Sequence, residues 1–142
     1  MKRSASAHWS GGIKDGQGTM STDTGVLHES PYGFKSRFED GPGTNPEELL
    51  GAAHAGCFAM ALSLILGKAG FTPDSVDATA HVTVGPQDGG FKITKSHIVC
   101  EAKVPGIDRT AFMKCAEAAK AGCPVSQALA GTEITLEAKL AD

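Results

Sequence analysis

The chain has 142 residues, with 13 Lys plus Arg against 16 Asp plus Glu, a formal charge of −3. That balance excludes the broad basic footprint of a nucleic-acid binder, and 41 % apolar against 20 % charged residues excludes a disordered composition. The length is that of one domain, and no repeat, low-complexity tract or linker divides residues 1–142. Four cysteines, Cys57, Cys100, Cys115 and Cys123, are too sparse for a disulfide-rich secreted scaffold. The N-terminal MKRSASAHWSGG is basic but carries no apolar stretch, so no secretory signal is read there. The expected setting is the cytoplasm, with no nucleic acid and no membrane as partner.

In chain order, Ser4 to Trp9, Thr19 to Thr22 and Phe34 to Phe38 read as three short strands separated by Gly- and Pro-bearing turns. In the third, Lys35 and Arg37 alternate with Phe34, Ser36 and Phe38, which would put Arg37 on a solvated sheet face. Asn45-Pro46-Glu47-Glu48 is a strong helix start: Asn45 can cap, Pro46 has no N–H to leave unpaired, and Glu48 completes the spacing of a capping box. The helix is expected to reach Lys68 and to end at Gly70. Its run Leu49 to Leu66 nears the length of a membrane span. It is Ala/Gly-rich, holds His54, Cys57 and Ser63, and is flanked by charges, so it reads instead as the central helix of a soluble core.

Ser75 to Val84 and Phe91 to Val104 follow as a hairpin around a six-residue loop from Gly85 to Gly90, with Ile98, Cys100, Ala102 and Val104 on one face. Asp108 can cap a helix to Ala121 whose apolar stripe is Phe112, Cys115, Ala116 and Ala119. Cys123-Pro124-Val125-Ser126 opens a short helix, and Glu133 to Leu140 is a last strand. This order favours an α+β fold over a doubly wound one.

No Cys-x-x-Cys occurs, so the zinc-ribbon and thioredoxin patterns are absent. Cys100 and Cys115 sit on apolar faces and read as small buried hydrophobes. Cys123 stands at a helix cap, where free N–H groups favour a thiolate. Cys57 lies inside the long helix with His54 one turn earlier, a spacing compatible with a Cys–His nucleophile pair or with plain packing. Glu47 can serve as a first-turn acidic residue and nothing more. The residues alone therefore reach two plausible reactive thiols.

Several segments together resemble the osmotically induced protein C family, OsmC, and its sister branch of organic hydroperoxide resistance proteins, Ohr. They are Pro31-Tyr32-Gly33-Phe34, Arg37-Phe38, Thr44-Asn45-Pro46-Glu47-Glu48-Leu49, Gly51-Ala52-Ala53-His54-Ala55-Gly56-Cys57-Phe58 and Ala121-Gly122-Cys123-Pro124-Val125-Ser126. His54 and the Pro-Tyr-Gly-Phe segment are more similar to the OsmC branch. The resemblance implies an OsmC-like fold with strands wrapped around long central helices in an intertwined homodimer. It implies a thiol-dependent peroxidase acting on organic hydroperoxides and hydrogen peroxide, without metal, flavin or haem. By motif, Cys57 is the peroxidatic cysteine, Cys123 the resolving one, and Arg37 and Glu47 the charged partners at the reactive thiol. An external dithiol, suggested to be a dihydrolipoyl group, would reduce the resulting disulfide.

The chemistry suits those residue types. A buried thiolate needs a cation, a guanidinium offers several N–H donors, and a carboxylate can hold that guanidinium through paired hydrogen bonds. The alternatives are a hotdog-type acyl thioesterase using Glu47 or Glu48 on a water, and a non-enzymatic module binding a small lipid. Ten residues on one helix separate Glu47 from Cys57 by about 15 Å and turn them about 80° apart. Two antiparallel copies of the helix would bring Glu47 of one subunit to Cys57 of the other.

Overall fold

The turn-rich N-terminal segment forms an antiparallel sheet of β1 (Ala5–Ser10), β2 (Gln17–Thr22) and β3 (Ser30–Tyr32), in that order. Gly18 sits in β2 opposite both Trp9 and Tyr32. A Cβ there would lie 2.6 Å from the Tyr32 ring and 2.7 Å from that of Trp9. Glycine thus lets the two rings close to a centroid distance of 5.6 Å.

Phe34–Phe38 is not the expected strand but a single helical turn, α1. The residues that alternate at period two also fit a helix at i, i+4, and the Phe34 and Phe38 rings meet at 5.2 Å. Ser36 decides the outcome locally. Its hydroxyl accepts from the Gly33 N–H at 2.9 Å and donates to the Gly33 carbonyl at 3.1 Å, closing the turn. Asn45 Nδ2 donates to the Ser36 carbonyl at 3.1 Å and ties the next helix start to this turn.

That helix, α2 (Pro46–Lys68), has the expected bounds. Asn45 Oδ1 accepts from the Glu48 N–H at 2.8 Å. Glu48 does not close the capping box; its carboxylate accepts from the Thr44 hydroxyl at 2.6 Å. Gly70, at φ +92°, ends the helix with the paired bonds of a Schellman motif, from Phe71 N–H to the Leu66 carbonyl and from Gly70 N–H to the Gly67 carbonyl.

The second sheet has the order β4 (Ser75–Gln87), β5 (Gly90–Lys103), β6 (Glu133–Leu140), with β5 antiparallel to β4 and parallel to β6. The loop expected from Gly85 to Gly90 shrinks to a two-residue turn at Asp88 and Gly89, both at positive φ. Pro86 is tolerated inside β4 because β4 is an edge strand. Helix α3 (Arg109–Gly122) is capped by Asp108 Oδ1, which accepts from Ala111 N–H at 2.8 Å, and α4 (Pro124–Ala128) follows directly.

The computed structural model describes residues 1–142, which divide into two compact units, Met1–Leu49 and Leu50–Asp142. The core of the second joins Phe58, Leu62 and Leu66 of α2 to Ile98, Cys100 and Ala102 of β5 and Phe112, Ala116 and Ala119 of α3. Each large side chain buried there contributes about 1.5–3 kcal/mol. The architecture is α+β, as the element order implies.

Candidate active site

On α2 the buried positions His54, Phe58, Leu62 and Leu66 form one i, i+4 stripe. Cys57 stands beside that stripe and is half-buried. Pro124 starts α4, and the extended backbone of Cys123 before it makes the thiol an N-cap: its Sγ accepts from Ser126 N–H at 3.3 Å. The next exposed donor of that turn, Val125 N–H, points to Cys57 Sγ at 3.5 Å.

Cys123 lies close enough to Cys57 to disfavour its thiolate, and neither thiol is in a disulfide. Burial pushes the Cys57 thiol above its ordinary value; the Val125 N–H opposes this, while the neighbouring Cys123 adds to the rise. Cys100 is held far from reactivity, pushed up to about 11 by burial and then by the charges of Asp77 and Glu101. Cys115 is buried on the apolar stripe of α3. Cys100 and Cys115 are buried, as their apolar faces imply, and all four thiols are free.

Arg37 and Glu47 meet in the first unit. Arg37 Nε donates to both Glu47 oxygens, at 3.0 and 3.3 Å, and Nη2 donates to Oε1 at 2.9 Å. Glu47 is buried, so its carboxylate has exchanged water for this fork. The guanidinium also lies 5.0 Å from the centre of the Phe38 ring. It forms part of the wall of a cleft of about 220 Å³ lined by Trp9, Ile13, Tyr32, Phe34 and Phe38. Arg37 is therefore not on the solvated sheet face that period-two alternation suggests.

His54 is fully buried. Its Nδ1 lies 2.7 Å from Ser96 Oγ and its Nε2 2.8 Å from Ser126 Oγ. Ser126 Oγ in turn lies 3.0 Å from Cys123 Sγ. Burial lowers the His54 pKa, so the ring is neutral and carries one N–H. Helical spacing pairs His54 with Cys57, whereas the structure joins its ring to the other thiol through Ser126. Sequence reasoning missed both serines. Ser126 had a signal in standing three residues after Cys123; Ser96 had only a polar side chain on the face of β5 that carries Ile98 and Cys100. No three His, Cys, Asp or Glu side chains cluster as a metal centre requires.

The profile of the family described as OsmC-like protein matches residues 39–139. The chain is 60 % identical over 134 residues to Peroxiredoxin OsmC of Escherichia coli, spanning 94 % of this chain and 93 % of that protein. It is 32 % identical over 124 residues to the organic hydroperoxide resistance protein OhrB of Bacillus subtilis, spanning 86 % and 89 %. The crystal structure of that OhrB superposes with a TM-score of 0.67 at 26 % identity, covering 97 % of this chain and 98 % of the other. An OsmC-like protein from Mycoplasma pneumoniae shares the fold at a TM-score of 0.76 and 17 % identity, covering 100 % and 99 %. Fold and similarity thus define the class, the α+β proteins of the OsmC and Ohr type. Within it, the chain belongs to the OsmC family. Helix α2, although long and apolar enough to span a membrane, is here the helix that carries the core stripe.

Proposed function

We propose that this chain is a cysteine-based peroxidase that reduces organic hydroperoxides and hydrogen peroxide. The observation that carries the reading is the pairing of Cys57 with Cys123, two free thiols under the N–H groups of one helix start, in a chain 60 % identical to a peroxiredoxin. The Cys57 thiolate attacks one peroxide oxygen. The S–O bond forms, the O–O bond breaks, and the departing oxygen leaves as alcohol or water after taking a proton. Cys123 then attacks the Cys57 sulfenic sulfur, forming the disulfide and releasing water. An external dithiol, a dihydrolipoyl group in this reading, restores both thiols.

Because burial pushes the Cys57 thiol up, a cation must be brought to it, and Arg37 held by Glu47 suits that role. The working unit in this reading is a homodimer of intertwined chains in which Arg37 and Glu47 of one subunit serve Cys57 of the other. Two features support it: the spacing of Glu47 from Cys57 along α2, and the exposed Met60 and Leu64, 78 % and 60 % accessible, on the helix that carries the core stripe. The aromatic cleft beside Arg37 suits the apolar part of an organic hydroperoxide. The setting is the cytoplasm, where free thiols persist.

Thiol counting tests the proposal. Stoichiometric hydroperoxide should consume two of the four thiols, and mapping should find them at Cys57 and Cys123. Consumption of no specific pair would overturn it.

A further inference from the structure

We propose that the buried line Ser96–His54–Ser126 aligns the Cys123 thiol and accepts its proton, making His54 a positioning residue for disulfide closure rather than for attack on peroxide. The inference rests on the peroxidase reading and assigns a part of that cycle which the two cysteines, Arg37 and Glu47 leave open.

Cys123 has no accessible surface, and neither have His54 and Ser96; Ser126 retains 4 %. A proton leaving Cys123 therefore meets no bulk water. It meets Ser126 Oγ at 3.0 Å, which lies 2.8 Å from His54 Nε2. We assign the hydrogens of the line a single direction. Cys123 S–H donates to Ser126 Oγ, Ser126 O–H donates to His54 Nε2, and His54 Nδ1–H donates to Ser96 Oγ at 2.7 Å. As Cys123 attacks, its proton passes to Ser126 Oγ while the Ser126 proton passes to Nε2. The S–S bond forms, the S–O bond of the Cys57 sulfenic acid breaks, and hydroxide departs. The imidazolium returns one proton, relayed back, to give water. The sulfenic acid is the oxidant, supplied by the first half of the cycle, and nothing else is consumed.

The geometry separates the thiols. Cys57 receives the Val125 N–H and is half-open to solvent, whereas Cys123 receives the N–H of Ser126 and donates to its hydroxyl oxygen. A lesion in the line should therefore divide the two chemical steps.

The test compares wild type, His54→Gln and Ser126→Ala in single-turnover reaction with a hydroperoxide. Sulfenic acid is trapped with a 1,3-dione, and disulfide and sulfinic acid are read by mass. Glutamine keeps a hydrogen-bonding side chain but cannot carry the proton, and Ser126→Ala removes one oxygen should the larger change prevent folding. The expected result is Cys57 sulfenic acid formed within about twofold of the wild-type rate, disulfide closure slowed at least tenfold, and sulfinic acid accumulating at Cys57. Closure at the wild-type rate, or equal slowing of both steps as a purely structural staple would give, overturns the inference. A Cys123→Ser control in the same series forms sulfenic acid if the peroxidase reading holds. Its absence there would remove that reading, and this inference with it.

Discussion

His54 Nε2 lies 2.8 Å from Ser126 Oγ, across 72 residues of sequence. The contact fastens α2 to α4, and the second ring nitrogen fastens α2 to β5 through Ser96. An apolar stripe fixes where a helix packs, but not its axial position; two short hydrogen bonds from one planar ring fix that as well.

The same burial gives stability a pH dependence. The His54 pKa is lowered from 6.5, so below that pH the unfolded chain binds a proton that the folded chain does not. Stability should be complete above about pH 6.5 and decline below it, by up to about 1.4 kcal/mol per pH unit until the folded ring protonates. Denaturant unfolding of wild type and His54→Gln at pH 7.5 and 5.5 checks this. The difference between the two proteins should narrow at the lower pH, and an unchanged difference would mean that His54 is not held neutral.

The cysteine variants should fail differently. Cys57→Ser should abolish peroxide reduction, because Cys123 is fully buried and cannot replace it. Cys123→Ser should allow one turnover, then accumulate sulfenic acid and overoxidise. Full dithiol-driven turnover by Cys57→Ser protein would sink the assignment of Cys57.

The elements that sequence made legible were those with two independent signals. Helix α2 combined a cap, a proline at its first position and a terminating glycine, and its bounds followed. Strand β6 had alternation and clear ends. Phe34–Phe38 was misread because five residues support both periods, and Ser36 settled the matter through a bond to its own N-terminal neighbour. Cys57 and Cys123 stand out as candidates in the sequence because thiols are chemically conspicuous. Ser96 was invisible because its role depends on a helix 42 residues away, which no local pattern encodes.

Arg37→Lys should not behave as a conservative change. Lysine keeps a cation but cannot reproduce the three contacts that Nε and Nη2 make with Glu47. The rate of Cys57 oxidation should fall more than tenfold, a loss of at least about 1.4 kcal/mol of transition-state stabilisation. In Arg37→Met no cation offsets burial, so Cys57 should titrate above its ordinary 9.0. The thiolate fraction then falls at neutral pH, and the rate should climb about tenfold per pH unit into the alkaline range. Wild-type kinetics in both variants would remove Arg37 from the site.

Where Glu47 acts can be read from mixed dimers. Glu47 and Cys57 lie on one helix, about 15 Å apart along its axis, too far for a carboxylate to serve a thiol through one arginine. If two copies of α2 pack antiparallel about a two-fold axis, Glu47 of each chain serves Cys57 of the other. Glu47→Ala and Cys57→Ser chains should each be inactive alone. In their heterodimer one site carries both lesions and the other carries neither. Activity per dimer should then return to about half of wild type, by counting sites under that symmetry. Heterodimers carrying two different affinity tags can be purified and assayed directly for hydroperoxide loss. If they form but stay inactive, each site carries one lesion, and Glu47 and Cys57 act within the same subunit.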